Sequence, residues 1–318
     1  GTTSARQAGT SPVNLLLSGP AGGLRGAQYV AAASGEDRLL SFDMGGTSTD
    51  VSIIDKQIGF TTGAKIGGYP VAVPMVDMHT IGAGGGSIAR LDAGGLLLVG
   101  PQSAGANPGP ACYGKGGRSP TVTDANVVLG RLLPQFFLGG KMPLDRDAAF
   151  AAVNTIAKPL GLTVEKAAEG IIDVVNDHMV RALRVMSVER GEDPKEFSLV
   201  CFGGAGGLHV CALAEELEMT KALVPVNAGV LSALGMLAAE ASRERSRTIN
   251  KRLAECNEEN IQQFFEELVG HAKAELRESA NGHNEASGDA EYPLRVVLSA
   301  DVRYQGQSHA LNLPWTGM

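Results

Sequence analysis

Two aspartates that flank a short run of glycine and hydroxyl residues are the groups in this sequence best suited to chemistry. Asp43 follows one apolar run, Asp50 precedes the next, and the residues between them include Gly45, Gly46, Thr47, Ser48 and Thr49. Glycines allow backbone N–H groups to close on an anion, and hydroxyls add further donors. Because a carboxylate repels a bare phosphate, a divalent cation between the two is the simplest arrangement. The spacing predicts a magnesium–nucleotide site, and a solvated turn is the alternative.

A second glycine cluster follows a continuous apolar run in the second half of the chain. Residues 203–207 read Gly-Gly-Ala-Gly-Gly, and a helix is predicted to begin directly after them. A strand, a glycine turn and a helix start bring backbone donors and the positive end of the helix dipole together. The cluster lacks the Gly-Lys-Ser/Thr of a Walker loop, and the third glycine of a dinucleotide fingerprint would fall at His209. We expect a phosphate or nucleoside seat of another type.

A third glycine cluster at 82–86 contains Gly84 and Gly85. Gly84-x-Gly86-x-x-Ala89 formally fits a dinucleotide fingerprint. However, that interpretation needs an acid about 20 residues further on, at the end of a second strand, and none is found there. A glycine turn close to the nucleotide is therefore favoured.

Two other features could carry chemistry, and each has a simpler structural interpretation. Asp77 and His79 lie two residues apart and would share one face of a strand. They could bind a metal or act as acid and base, or they could form ordinary structural hydrogen bonds. Cys112 could be a nucleophile, but no neighbouring base can be identified, so a buried small apolar residue is favoured.

Apolar periodicity predicts the elements that would position these residues. The predicted strands are 39–42, 51–54, 57–62, 197–202, 222–226, 294–302 and 309–313. The predicted helices are 21–34, 123–129, 163–190, 208–217, 230–241 and 261–278. The first three strands form an antiparallel meander around the Asp43–Asp50 segment, and the later strands alternate with helices, as parallel β-α pairs do. The pattern predicts an α/β fold.

Composition limits which kinds of partner and which cellular compartment are expected for the chain. The 318 residues are enough for one large domain or two smaller ones, and the formal net charge of −7 argues against nucleic acid as the main partner. The basic cluster at 243–251 is interrupted by Glu244, which is typical of a solvated face. No uninterrupted apolar run approaches about 18 residues, so no membrane span is predicted. Four cysteines without a CxxC pair are typical of a reduced, cytoplasmic protein.

Four motifs resemble the hydantoinase A/5-oxoprolinase family of the actin-like ATPase superfamily. They occur in family order over most of the chain, at 17–23, 43–50, 79–89 and 202–206. The resemblance implies a ribonuclease-H-like lobe of the actin-like fold over residues 1–250, with a Gly/Pro-rich insertion at about 95–145. Residues 251–318 would be a helix and the start of a C-terminal β region, which is cut short. The other phosphate loop of the fold would precede this stretch, so the isolated chain is expected to be inactive.

The resemblance also implies a function, with ATP and Mg2+ as cofactors. The expected reaction is hydrolysis of a cyclic amide, of the hydantoin or 5-oxoproline type, after phosphorylation of its carbonyl oxygen. Asp43 would hold the magnesium ion, and Asp50 would orient a hydroxyl or brace the hairpin. The residues expected to contact the nucleotide are Gly45, Gly46, Thr47, Ser48, Thr49, Gly84, Gly85, Gly203, Gly204, Ala205 and Gly206.

The family resemblance implies a partner as well. A hydantoinase B-type subunit or domain would make the protein a hetero-oligomer. Two alternatives use the same nucleotide site: an ATP-driven conformational switch that acts on a partner protein, and a subunit of an ATP-dependent ketone carboxylase.

Overall fold

The computed structural model describes residues 5–10, 12–61, 64–66, 69–71, 75–281, 294–307 and 310–316. The chain divides into two compact units, residues 13–239 and residues 1–12 together with 240–318. The boundary expected near residue 250 stays a prediction. The first of these units carries all the residues of the predicted nucleotide site.

The described residues form fourteen strands and eight α-helices. The strands are β1 (Arg38–Met44), β2 (Thr49–Asp55), β3 (Gln57–Ile58), β4 (Phe60–Thr61), β5 (Ala64–Ile66), β6 (Tyr69–Val71), β7 (Met75–Val76), β8 (His79–Ile81), β9 (Ser87–Leu91), β10 (Leu97–Ser103), β11 (Ser198–Phe202), β12 (Ala222–Leu223), β13 (Ser299–Val302) and β14 (Leu311–Pro314). The helices are α1 (Ala5–Thr10), α2 (Ser18–Ala33), α3 (Val122–Val128), α4 (Arg146–Leu160), α5 (Val164–Met186), α6 (Val210–Glu216), α7 (Leu231–Ala238) and α8 (Glu258–Asn281).

The main sheet has the strand order β12-β11-β1-β2-β3, with β8 also paired to β2. β1 is antiparallel to β2 and parallel to β11, and β11 is parallel to β12. The predicted hairpin, the later parallel pairs and the α/β class are therefore confirmed. The predicted strand at 57–62 is wrong in part, because only Gln57–Ile58 joins this sheet while Phe60–Thr61 pairs with β7.

Side chains alternate along β1 between two apolar layers. Leu40, Phe42 and Met44 are fully buried on the face covered by α3, α4, α5 and α6. Leu39 lies on the opposite face, where α2 and α7 pack against the sheet. Asp43 shares that second face by alternation. The polar end of β1, at Asp43, therefore lies on the face of the sheet that α2 covers.

Helix α2 begins at Ser18, three residues before the predicted start, with Pro20 in its first turn, where proline is tolerated. Its small residues allow α7 to approach closely. A Cβ at Gly26 would lie 2.5 Å from the carbonyl oxygen of Leu231, and one at Gly235 would lie 2.4 Å or less from α2 backbone, so neither position accepts a side chain without movement.

The Gly/Pro-rich segment is more regular than the sequence suggests. Antiparallel β9 and β10 form a two-stranded sheet, and the short helix α3 begins at Thr121 with a capping box in which Thr121 and Asp124 cap each other. The predicted long helix is confirmed as α5, although it ends at Met186 and a 3-10 turn, Val188–Arg190, follows. Gly191 then stops the helix with φ +83°.

The unit that contains 240–318 holds α8 and the antiparallel pair β13 and β14. The predicted strand at 309–313 begins at His309, which lies outside the described residues. Arg245 and Arg247 form ion pairs with Glu275 and Glu267 of α8, so these two members of the basic cluster are neutralised within the protein. Among the described residues, no helix is both long enough and apolar enough to cross a membrane.

Candidate functional site

Asp43 and Asp50 face each other across β1 and β2. They are direct register partners, and both side chains are partly buried. Direct partners on one face of an antiparallel pair have Cβ atoms about 4.5–5.5 Å apart, so the two carboxylates are close neighbours. They line a small cleft whose other walls are Pro20, Leu24, Val51, Ser52, Met78 and Phe202. The carboxylates are the only charged groups in that lining.

The two carboxylates stand in different environments. Burial, together with the charge of Asp50, raises the pKa of Asp43 to about 6. Burial also raises the pKa of Asp50, but the hydroxyl of Thr80 donates to its Oδ1 at 2.7 Å and opposes that rise. No described basic side chain counteracts the rise at Asp43. The pair therefore holds uncompensated negative charge, as a cation site does.

The turn between the two aspartates is closed but keeps donors free. The N–H of Gly45 donates to the carbonyl of Ser48 at 3.1 Å. The N–H groups of Gly46 and Thr47 and the hydroxyls of Thr47 and Ser48 donate to no acceptor in the described part of the chain. Thr49 differs, because it is buried and its hydroxyl donates to the carbonyl of Ala83 at 2.5 Å. The turn can thus bind an anion at its tip, while Thr49 fixes its base.

The cluster at 82–86 lies behind this turn. The N–H groups of Gly85 and Gly86 donate to the carbonyls of Gly45 and Gly46 at 3.0 and 2.7 Å, and the N–H of Gly84 donates to Ser87 Oγ at 2.8 Å. A Cβ at Gly84 would lie 2.7 Å from the backbone N of Thr47. Gly84 and Gly85 are buried and support the turn through the backbone, so their own contact with a nucleotide stays a prediction.

The glycine turn at 203–206 follows β11 and contacts the residues at the end of β1. The N–H of Ala205 donates to the carbonyl of Met44 at 3.0 Å. Gly203 has φ +80°, and a Cβ there would overlap Asp43 Oδ1. Gly204 is exposed, whereas Gly206 is buried against Phe42 and Cys201.

The surroundings of Gly85 show that the three glycine clusters, around residues 45, 85 and 205, lie next to one another. A Cβ at Gly85 would lie within 4 Å of both Ala205 and the carbonyl of Gly45. The helix after the glycine turn at 203–206 starts later than predicted, because Gly206–Leu208 forms a 3-10 turn and α6 begins only at Val210. Backbone donors near 205 therefore come from the turn, and not from the first turn of an α-helix.

Two other candidate residues from the sequence, Asp77 and Cys112, have structural surroundings. Asp77 falls between β7 and β8, and both of its carboxylate oxygens accept from the guanidinium of Arg190, one of them at 3.2 Å. Asp77 and His79 therefore do not share a strand, and the pairing of Asp77 with Arg190 agrees with the structural interpretation of this residue. Cys112 is fully buried, and burial strongly raises the pKa of its thiol, so the apolar interpretation is confirmed. In the described part of the chain, no three His, Cys, Asp or Glu side chains cluster as a metal site.

Sequence reasoning missed the roles of two residues that organise the site, Thr80 and Thr123, and the burial of His209. Thr80 holds Asp50, Thr123 donates to the carbonyl of Gly85, and His209 lies 1% exposed at the start of α6. Burial, and then the charge of Arg131, lowers the pKa of His209 to about 4, while its Nδ1 lies 2.7 Å from Asn176 Oδ1. Thr80 lies two residues before the glycine cluster at 82–86, whereas Thr123 has no such signal in the sequence. Only the pairing of β8 with β2 and the contact of Thr123 with Gly85 reveal their roles.

Comparisons with known proteins find relatives along almost the whole chain. The sequence profile described as Hydantoinase/oxoprolinase matches residues 1–245. Caprolactamase subunit alpha of Pseudomonas jessenii is 42% identical over 301 residues, which cover 93% of this chain and 42% of that protein.

Two solved structures are similar throughout. The crystal structure of the ATP-dependent caprolactamase from Pseudomonas jessenii gives a TM-score of 0.77 at 40% identity, covering 96% of this chain and 44% of that chain. The nucleotide-free structure of acetone carboxylase gives 0.73 at 31% identity, covering 93% and 42%. These likenesses confirm the predicted actin-like ATPase type of fold. The chain spans less than half the length of these relatives.

Proposed function

This chain belongs to the hydantoinase/oxoprolinase family, and we propose that it supplies the nucleotide-binding part of an ATP-dependent hydrolase of cyclic amides. The observation that carries the proposal is the junction of the two glycine turns, where Ala205 N–H meets the carbonyl of Met44 beside Asp43. That junction brings the two glycine turns together at the end of β1, next to the two carboxylates. The name of the caprolactamase relative supports the cyclic amide as the substrate class.

The residues present fit a magnesium ion. Asp43 and Asp50 offer hard oxygen donors whose charge no described cation neutralises. Mg2+ is typically held by one or two carboxylates together with substrate phosphates and water, so a complete protein cage is not required. Asp43 is the proposed ligand, and a bound Mg2+ would neutralise charge that develops on the phosphates during transfer.

Each turn has its own task in this proposal. The free N–H groups of Gly46 and Thr47 and the hydroxyls of Thr47 and Ser48 bind phosphate oxygens. The segment Gly203–Gly206 seats the adenosine. Asp50, oriented by Thr80, accepts a hydrogen bond from a water molecule or hydroxyl in the cleft. Catalysis of phosphoryl transfer consists mainly of such positioning and charge stabilisation.

The chemistry follows from the weakness of an amide as an electrophile. Transfer of the γ-phosphoryl group breaks its bond to the β-phosphate oxygen and forms a bond to the amide carbonyl oxygen. Water then adds to the carbonyl carbon, and the ring C–N bond breaks as its nitrogen takes a proton, which leaves an acyl phosphate. A second water molecule attacks the acyl phosphate and releases phosphate and the free carboxylate. The products are ADP, phosphate and an open-chain amino acid or its ureido equivalent.

A partner subunit is part of the proposal. The caprolactamase relative is named as subunit alpha, so that protein has at least one other subunit. We infer that this chain also works in a hetero-oligomer, with a hydantoinase B-type subunit or domain. The similarity to acetone carboxylase favours one second candidate, an ATP-dependent ketone carboxylase, which would use the same nucleotide cleft.

One assay separates these functions. The complete gene product, with its co-expressed partner, is incubated with ATP, Mg2+ and either hydantoin, 5-oxoproline, caprolactam, or acetone with bicarbonate. The proposal expects release of ring-opened product in step with phosphate for one of the cyclic amides. Carboxylated product from the ketone would establish the second candidate instead. Slow ATP hydrolysis that no substrate changes would indicate a conformational switch.

A further inference from the structure

We propose that Thr123 is a positioning residue for the turn at 45–48, and that it acts through Gly85. The inference rests on the proposed function, because it assigns how the phosphate-binding turn is held in place. Thr123 lies in the Gly/Pro-rich segment, far from the turn in sequence and outside the motifs that indicate the nucleotide site.

The contact begins at the carbonyl oxygen of Gly85. Thr123 donates to it twice, from its backbone N–H and from its hydroxyl, each at 2.8 Å. Thr123 is 9% exposed, so water competes little for these donors. A carbonyl with two donors from one residue is fixed in direction as well as in distance, because each donor fills one lone-pair direction.

The same glycine carries the contact to the turn. The N–H of Gly85 donates to the carbonyl of Gly45 at 3.0 Å, and the next N–H, that of Gly86, donates to the carbonyl of Gly46. Gly85 has no side chain that could be held by packing, and a Cβ there would lie 2.9 Å from Thr123 Oγ1. Its placement therefore depends on backbone hydrogen bonds, of which Thr123 supplies two.

Thr123 is itself anchored by its neighbour Asp124, which is fully buried. The carboxylate of Asp124 accepts from the N–H groups of Cys112 and Ala111 at 2.8 and 3.2 Å. It also accepts from the N–H and the hydroxyl of Thr121, at 3.0 and 2.7 Å. A buried carboxylate with four donors holds the start of α3 in one position. The donors of Thr123 are thus presented at a fixed point.

This arrangement matters because the tip of the turn has no comparable support of its own. The N–H groups of Gly46 and Thr47, which are proposed to bind phosphate, make no hydrogen bond within the described residues. Their positions therefore depend on the backbone of residues 85–86, which supports the turn from behind. Binding sites of this kind need their donors within about 0.5 Å of the productive geometry. Loss of the Thr123 hydroxyl should therefore loosen the turn and weaken binding of ATP.

The experiment compares Thr123→Val and Thr123→Ala with Thr123→Ser in the complete gene product. The matched control is Ser187→Ala, because Ser187 is also fully buried and its hydroxyl also donates to a backbone carbonyl at 2.8 Å, that of Leu183 in α5. Hydrogen–deuterium exchange is measured for peptides that span 44–49 and 83–88. The Km for ATP and the kcat are measured for the same proteins.

Faster exchange in both peptides is expected for the Val and Ala variants, with a Km for ATP raised about fivefold and a smaller change in kcat. The Ser variant should restore both values, and Ser187→Ala should change neither although it loses stability. Unchanged exchange at 44–49 in the Val and Ala variants would overturn the inference, as would failure of serine to restore it. If the wild-type protein does not bind ATP, the proposed function fails, while the exchange data still decide the role of Thr123. The Ala variant avoids the methyl group that Val would place against Gly85, so one of the two should fold.

Discussion

The N–H of Ala205 donates a hydrogen bond to the carbonyl of Met44 at 3.0 Å, which joins the end of β1 to the turn after β11. Met44 follows Asp43 directly, and Gly203 lies against the same carboxylate. Two segments far apart in the sequence therefore form one continuous rim around the aspartate pair.

Gly203→Ala should damage the rim. Gly203 has φ +80°, and a new Cβ would overlap Asp43 Oδ1 and lie 2.5 Å from the carbonyl oxygen of Met44. Strain of this kind amounts to about 1–3 kcal/mol, so thermal unfolding should shift to lower temperature and ATP affinity should fall at least tenfold. The control is Gly161→Ala, where φ is +65° but a Cβ meets nothing within 4 Å and the position lies outside the proposed nucleotide site. Equal ATP binding by both variants in a calorimetric titration would contradict the shared rim.

Asp43→Ala in the complete gene product should abolish phosphoryl transfer and leave the fold intact. The change removes the proposed magnesium ligand, and the buried pair loses one of its two like charges. Steady-state phosphate release and circular dichroism check the two halves of this prediction. A rate within about tenfold of the wild type, which corresponds to only about 1.4 kcal/mol, would exclude the proposed role of Asp43.

The pH dependence of stability should also report Asp43. Its pKa is about 6 in the folded protein, against an ordinary value of 3.8 for an exposed aspartate, so the folded state binds more protons between these values. Stability contributed by the protonated carboxyl is then present below about pH 4 and is lost as the pH rises through about 6. The Asp43→Asn variant should gain stability relative to the wild type over that window in urea unfolding at low ionic strength. A difference that stays constant from pH 4 to pH 7 would show that burial does not penalise this carboxylate.

Gly84→Ala should disturb the turn from behind. The new Cβ would lie 2.7 Å from the N of Thr47 and 2.8 Å from the carbonyl carbon of Gly46, and neither backbone atom can move without moving the turn. We expect weaker ATP binding, by about tenfold or more, measured by titration. Gly94→Ala is the matched control, because its nearest neighbour is the flexible carboxylate of Asp92 at 3.4 Å. Normal binding by Gly84→Ala would mean that the turn yields easily.

Asp77→Asn should leave catalysis almost unchanged. Its carboxylate pairs with Arg190, and the side chains are 28% and 40% exposed, so the pair should contribute less than about 1 kcal/mol. The exposed pair of Arg181 with Asp177, disrupted by Arg181→Ala, provides a comparison of similar type. A much larger loss of kcat than of stability in Asp77→Asn would restore an acid–base role for this residue.

The strands and glycine turns of the site could be predicted because local signals specify them. The hairpin from Leu39 to Ile54 combines apolar runs with a glycine turn, and the register follows from the alternation of Asp43 with buried neighbours. The meeting of the turns at 45 and 205 needed the family resemblance, since parallel pairing of β1 with β11 is a long-range contact that no local pattern encodes.

The rest of the site could not be predicted, because backbone contacts carry it. Gly84 and Gly85 suggested donors for a nucleotide, but their N–H groups are used within the protein. The short helix at 123–129 is predicted and confirmed as α3. The role of Thr123, however, depends on a long-range contact with Gly85 that no local pattern encodes. Residues 57–62 looked like a single strand, yet its two halves pair with different partners.

The pairing of β1 with β2 carries a further consequence for how this protein can evolve. A slip of one residue would turn Phe42 toward α2 and bury Asp43 among the apolar side chains beneath α5. Mutations that misalign these strands would thus disrupt both the packing of the core and the placement of the carboxylates. Selection for a folded sheet alone would already preserve the orientation of both acids.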